Sequence, residues 1–402
     1  MRKLLFLILI FPLSFVCRSN ASNKPVISIP FEKAGSYIVV EARINNSSKL
    51  KFILDTGVRR TIITELLSGD SIDINATDTV NLQGLGQGSS LMAYICTNNT
   101  ISLSRKFKLP NKPVYILQED AFNLTRQTGT KINGLLGVDF FQNYIVEIDY
   151  MRSKLKFYEK ENFEAPADYG VMPMICEKQK MYIQLSVLET DTTRRSIKML
   201  IDTGAELNAW FQTLSNQAIS IPEKSIHGRI GYGLNGEVNG VFARVPQICI
   251  ANSCVKDPIV VFPDSASISD IMVNTDRDGT IGSQLLNRFN IIIDTYNKRF
   301  YFKPNANFRR PFTYNIAGIE VAQAIAFVPQ IEVVNVWKDS PADRAGLKTG
   351  DVIIDIDNTK VYGLTLPQVK GYFIQPSKRP LRLTIQRGTE TISLKVDMKA
   401  KI

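Results

Sequence analysis

The chain has 402 residues, 48 Lys and Arg against 38 Asp and Glu, a single histidine and a formal net charge of +10. A length of this order supports two or three domains. The basic pairs, such as Arg194-Arg195 and Arg309-Arg310, are scattered without aromatic interleaving, which argues against a nucleic-acid surface, and one histidine with no Cys-x-x-Cys leaves zinc without ligands, so no metal or other cofactor is expected.

The N-terminus reads Met1-Arg2-Lys3, then an apolar run from Leu4 to Val16, then a small-x-small site at Ser19-Asn20-Ala21. This is the pattern of a secretory signal peptide over residues 1–21. The run is too short to span a bilayer. Cys17 offers a rival reading, a lipid-modified N-terminus, although Phe15 and Val16 are bulky where such a site wants small residues. Cleavage leaves 381 residues at +7 and no further stretch of 18 apolar residues. The expectation is a secreted or periplasmic protein with no integral membrane segment.

From Lys24 onward the elements read as strands. "SYIVVEARI", "LKFILDT", "PVYIL", "NYIVEIDY" and "KLKFY" are short, rich in Val, Ile, Tyr and Phe, and bounded by turn residues. "MYIQLSVL", "IKMLIDT", "DPIVVF", "FNIIID" and "RFYF" repeat the series, and only "GVDFFQN" and "SQLLNRF" read as short helices. The repeat is exact at its landmarks. Asp55-Thr56-Gly57 and Asp202-Thr203-Gly204 each close an apolar strand. Gly84-Leu85-Gly86 follows the first at the same offset as Gly231-Tyr232-Gly233 follows the second. Gly137 precedes Asp149 by the interval that separates Gly282 from Asp294. One module is therefore used twice, over 22–162 and 163–305. Between them the halves hold Cys249 and Cys254 around a turn-like "IANS", which leaves a hairpin disulfide and a reduced pair both open.

These features resemble aspartic proteases of the retropepsin and pepsin type. The resemblance implies a mainly β fold, with two tandem retropepsin-like lobes forming a pepsin-like bilobal protease. It implies that each Asp-Thr-Gly loop meets its partner at the lobe interface, with Asp55 and Asp202 as the catalytic pair. Thr56 and Thr203 would bond across the interface and Gly57 and Gly204 would give the tight turn. Gly84, Leu85, Gly86, Gly231, Tyr232 and Gly233 would form flaps over bound substrate. Two lobes in one chain imply a monomer acting on a peptide or protein. The chemistry needs two carboxylates because peptide hydrolysis takes both a base for water and an acid for the leaving nitrogen. Two touching carboxyls hold one proton between them and can serve as both. The chain departs from the pattern at Thr280, where the first half has Leu135, and at the basic Arg59-Arg60. "GYGLNG" fits a dinucleotide motif, but a strand-like segment follows it where that motif needs a helix.

After Pro304 the composition changes. Ser340-Pro341-Ala342, Ala345-Gly346-Leu347 and Gly350-Asp351, set among alternating Val and Ile, resemble a bacterial PDZ domain over 306–402, circularly permuted and β with two short helices. The resemblance implies strand addition of a peptide C-terminus, with Ala317, Gly318 and Ile319 as the carboxylate loop. The leading expectation is an aspartic endopeptidase with an appended PDZ domain. The alternative is a non-catalytic peptide-binding protein that uses the cleft and the PDZ groove for recognition.

Overall fold

A computed structural model describes residues 24–402 apart from 139–140, 162, 191, 214, 216–217 and 269–275. The expected signal peptide and Cys17 lie outside the described residues. Four sheets carry the fold. The first lobe is built on an eight-stranded sheet. Its centre is the strand Leu50–Leu54, which pairs antiparallel with Tyr37–Ile44 on one side and parallel with Gly134–Leu136 on the other. The second lobe repeats this arrangement: Arg194–Asp202 pairs antiparallel with Lys180–Leu188 and parallel with Gly279–Gly282. Such strands are apolar on nearly every residue because both faces are covered; Phe52, Ile53 and Leu54 are all buried, as are Met199, Leu200 and Ile201.

A third sheet of six strands joins the lobes, three from each. Its midline is the antiparallel pair Ile145–Asp149 and Phe289–Asp294, with Ile148 opposite Ile291 and Val146 opposite Ile293. These matching strands meet about a pseudo-twofold axis. The same symmetry appears in small details. Lys51 N donates to Asn133 Oδ1 at 2.9 Å, and Lys198 N to Asp278 Oδ2 at 2.8 Å. Residues of both lobes and of the C-terminal unit share one hydrophobic cluster, so the units are packed together by the same burial that drives each to fold.

The second lobe ends its sheet in a hairpin, Gln247–Ile250 with Ser253–Lys256, where Cys249 faces Cys254 and the two form a disulfide. Of the two expected helices, Ser283–Leu286 is present; Asp139 and Phe140 of "GVDFFQN" lie outside the described residues. The C-terminal sheet runs from the edge strand Ile319–Gln323 to Glu390–Val396. Its two helices, Pro341–Arg344 and Leu366–Tyr372, each begin with a side-chain cap, from Ser340 and Thr365, and a proline in the first turn.

Candidate active site

Each Asp-Thr-Gly lies where a central strand ends beside its parallel neighbour. Asp55 N donates to Leu136 O at 2.9 Å, and Asp202 is in register with Gly282. Two glycine-containing strands, one per lobe, thus support the two loops from below. The loops then lock to each other. Thr56 Oγ1 donates to Ile201 O at 2.7 Å and accepts from Thr203 N at 3.0 Å. Thr203 Oγ1 donates to Leu54 O at 2.6 Å and accepts from Thr56 N at 3.2 Å. Both threonines are fully buried, and each hydroxyl satisfies two main-chain groups of the other lobe. Thr203→Val keeps the shape and removes the hydroxyl. It should lower stability by about 2–4 kcal/mol, because a buried carbonyl and a buried amide lose their partners. Thermal and denaturant unfolding check this.

The lock brings the aspartates together. Asp55 and Asp202 hydrogen-bond through their carboxyls. Gly57 N at 2.7 Å and Val58 N at 3.2 Å donate to Asp55 Oδ1, and Gly204 N donates to Asp202 Oδ1 at 2.9 Å. A Cβ on Gly57 would stand under 3.0 Å from the Asp202 carboxyl, and one on Gly204 equally close to that of Asp55. Only glycine admits this approach. Burial, and then the neighbouring Asp202 charge, push Asp55 well above the usual carboxylate range, against the Gly57 and Val58 amides. Burial also raises Asp202, opposed by the Gly204 amide and by the cations Arg277 and Lys180. A pair in this state retains a proton where an isolated aspartate has lost it. It can donate from one oxygen and accept at another.

Residues that the sequence reading missed surround the pair. Burial and the charges of Glu206, Asp55 and Asp202 push the Tyr37 phenol well above its usual value. Arg277 is buried with its guanidinium 5.4 Å from the Trp210 ring centre, and burial pushes it down to about 10. The matching position of the first lobe is Ile132, so no repeat signal points to this arginine. His227 lies apart on the surface, Nε2 at 2.9 Å from Asp264 Oδ2.

The two glycine tips meet each other. The second-lobe strands Ser225–Gly233 and Gly236–Arg244 form a hairpin that turns at Leu234-Asn235. Asn235 N donates to Leu85 O at 2.8 Å, and Gly84 N donates to Asn235 Oδ1 at 2.9 Å. Gly88 N donates to Asn235 O at 2.5 Å. Gly86 has φ +117° and lies against the Asn235 main chain, where a side chain would clash. Gly84, Leu85, Gly86 and Gly233 are thus at one junction with Asn235, a residue the sequence reading passed over. Tyr232 turns instead to Arg229, whose guanidinium lies 4.6 Å from its ring centre.

The C-terminal unit touches both lobes. Buried Arg229, at the base of that hairpin, donates through Nε to Glu320 Oε2 at 2.7 Å and also binds Glu237. Trp337 stacks on Phe242 at 4.9 Å between ring centres. At the other end the first-lobe helix Leu124–Thr128 packs on the edge strand Ile319–Gln323. Arg126 Nε donates to Gln323 O at 2.8 Å, and Lys370 Nζ donates to Gln127 O at 2.8 Å. The loop before the edge strand has its amides engaged within the unit. Ala317 N donates to Phe373 O at 3.1 Å, while Asn315 Oδ1 accepts from Gly318 N at 3.0 Å and Ile319 N at 3.3 Å. The Asn315 side chain thus holds two amides of this loop.

The model of a family described as aspartyl protease matches residues 40–140, and that of the PDZ domain matches residues 332–387. The chain joins an aspartyl protease domain to a PDZ domain. A probable CtpA-like serine protease from Staphylococcus haemolyticus (strain JCSC1435) is 34% identical over 67 residues, which are 17% of this chain and 14% of that protein. The crystal structure of an aspartic proteinase from Irpex lacteus aligns with 71% of this chain and 98% of its own, at 15% identity and a TM-score of 0.46. The family match reaches across the first-lobe loop of the protease, with Asp55, Thr56 and Gly57. The second lobe repeats that loop's geometry through Asp202, Thr203 and Gly204.

Proposed function

We propose that the chain is an aspartic endopeptidase of the secreted or periplasmic space, in which Asp55 and Asp202 activate a water for attack on a peptide carbonyl. The observation that carries this reading is the reciprocal threonine exchange, which holds two carboxyls in hydrogen-bond contact at the axis between lobes. The ionised member takes a proton from water as the other gives one to the carbonyl oxygen. In the collapse of the tetrahedral intermediate, the carboxyl that took the water's proton gives it to the departing nitrogen as the C–N bond breaks, while the other carboxylate takes a proton back from a hydroxyl of the intermediate, which leaves the pair as it began. The proton belongs to the pair, so neither aspartate is acid or base alone. The glycine junction around Asn235 serves as the flap, and it must part to admit a substrate. One chain supplies both aspartates, so a monomer suffices. The Cys249–Cys254 bridge fits an oxidising compartment, as does the N-terminal signal pattern. The test is digestion of a peptide library by the purified protein, with fragments read by mass spectrometry. Internal cleavage is expected, and no cleavage at any pH from 3 to 8 would leave only the binding-protein alternative.

The PDZ domain is proposed to take a peptide C-terminus between the edge strand Ile319–Gln323 and the helix Leu366–Tyr372. In the structure the first-lobe helix already holds this strand through the Arg126–Gln323 bond, so peptide and lobe compete. Arg126→Ala should raise the affinity of the full chain for a peptide with a free C-terminal carboxylate by about fivefold, the size of a half-exposed charged contact. Fluorescence anisotropy with free and amidated versions of one peptide checks both the gain and the need for the carboxylate.

A further inference from the structure

The pseudo-twofold axis relates the main chain of the lobes closely, but it does not relate their charges. The residue two places after each Asp-Thr-Gly is Arg59 in the first lobe and Glu206 in the second. Each of these positions faces a turn of the opposite lobe. Glu206 lies over the turn Gly35-Ser36, where its Oε1 accepts from Ser36 N at 2.9 Å. That turn is docked on the second lobe through Ser36 Oγ and Ser283 Oγ, 2.6 Å apart. Ser283 N in turn donates to Ala205 O at 2.8 Å.

The matching turn of the second lobe is Lys178-Gln179, and Lys180 follows it as the first residue of the next strand. The turn abuts Val138, the counterpart of Ser283, around a cavity of about 100 Å³ that Met181 also lines. Val138 N donates to Val58 O at 2.9 Å, immediately before Arg59. Lys180 and Arg59 therefore stand where the other side has Tyr37 and Glu206. Glu206 is hydrogen-bonded to the turn it covers. Among the described residues, neither Lys180 nor Arg59 forms a salt bridge. The field at Lys180 agrees with this placement: burial, Arg277 and Arg59 lower it, while Asp202 and Asp55 raise it. With one proton on the aspartate pair, one negative charge stands against Lys180 and buried Arg277, and Arg59 adds a further cation beside Lys180. The excess is positive on this side and negative on the other. An extended peptide lying across the axis passes Glu206 on one side and the two cations on the other.

We infer that Lys180 and Arg59 form a cationic subsite that selects substrates with an Asp or Glu side chain at one fixed position beside the scissile bond. This rests on the endopeptidase reading of the same cleft and adds the substrate class. The anion completes a charge set that the chain leaves open, and like charge repels a basic residue from the same place. The uneven ends also give the substrate one direction across an otherwise symmetric cleft.

The experiment is digestion of a decapeptide library by the full-length protein, its Arg59→Glu and Lys180→Glu variants, and Asp55→Asn as the inactive control. Wild type should enrich Asp and Glu about tenfold at a single position, measured as kcat/KM. Each charge reversal should abolish that enrichment and favour Lys or Arg at the same position. Arg59 is exposed, so its reversal should leave the melt intact even if Lys180→Glu disturbs the lobe contact. Cleavage without an acidic preference, or a preference that survives both reversals, overturns the inference and leaves the endopeptidase standing. If wild type cuts nothing, the endopeptidase reading fails. The subsite is then decided by anisotropy on the Asp55→Asn chain with two labelled decapeptides that differ as Glu and Gln. Tighter binding of the Glu peptide by about tenfold supports the subsite, and equal binding overturns it.

Discussion

Asp55→Asn and Asp202→Asn should each lower kcat/KM for peptide cleavage by about 10³-fold or more, and the double variant should lose little beyond either single one. Both roles proposed for the pair depend on a carboxyl that changes protonation state. An amide at one position leaves no partner to complete the proton cycle, so the second loss has nothing left to remove. Stability should move the other way. The folded state raises Asp55 above its ordinary value of 3.8 through burial and the Asp202 charge. A carboxyl raised by folding contributes stability that is full below its unfolded value and lost as pH climbs through the folded one. Near pH 7 the buried carboxyl is therefore a cost, and Asp55→Asn should melt a few degrees higher than wild type. Near pH 3 the gain should vanish. A variant that is both inactive and more stable at neutral pH separates a chemical role from a structural one. A single variant that retains a tenth of the activity contradicts the shared site.

Gly204→Ala should lower kcat/KM by about 10²-fold, with both aspartates in place. The new Cβ would stand under 3.0 Å from the Asp55 carboxyl, so the carboxyl must rotate or the loops must part. Either movement breaks the contact through which the pair shares its proton. The crowding should also cost about 1–3 kcal/mol. Gly57→Ala should behave alike, since its Cβ would meet the Asp202 carboxyl. Gly371→Ala is the control. It lies within the helix Leu366–Tyr372 with no atom within 4 Å of its Cβ position. There alanine should stabilise by about 0.5–1 kcal/mol and leave kcat/KM unchanged. Equal losses at Gly204 and Gly371 would mean that helix or loop propensity, and not the approach of the carboxyls, governs both.

The duplicated loop is legible in the sequence because its residue types are dictated by geometry. An apolar strand must end beside another buried strand, a hydroxyl must reach the opposite lobe, and glycine must follow where two carboxyls crowd the main chain. Other elements carry weaker local marks. The strand Leu91–Ser102 was passed over because "CTNNT" breaks its apolar pattern, and its pairing shifts register at Cys96/Asn99 and Asn99/Ile101. The helix Leu124–Thr128 has five residues and starts from Asn123 with φ 50°, too short for any period to register. Its contact with the PDZ edge strand joins residues 197 apart in the chain, and local reading has no access to such a pairing. The same holds for Arg277, which replaces the apolar Ile132 of the first lobe. Self-similarity finds what the halves share, whereas the charges that distinguish the two sides of the cleft lie in what they do not share. The open choice at Cys249 and Cys254 is settled by register, since the hairpin places them directly opposite.

Hydrolysis is proposed to proceed through the aspartate pair, without a serine nucleophile. Its most direct test is peptide cleavage by the purified chain in the presence of either of two reagents. One is a non-cleavable peptide analogue with a hydroxyl-bearing tetrahedral carbon at the scissile position. The other is a fluorophosphonate, which phosphonylates activated serines with loss of fluoride. The analogue should stop cleavage in proportion to its occupancy of the cleft and bind the Asp202→Asn chain far more weakly, and the fluorophosphonate should neither label the protein nor slow cleavage. Cleavage that persists with the analogue bound and stops on fluorophosphonate labelling would contradict the aspartate mechanism.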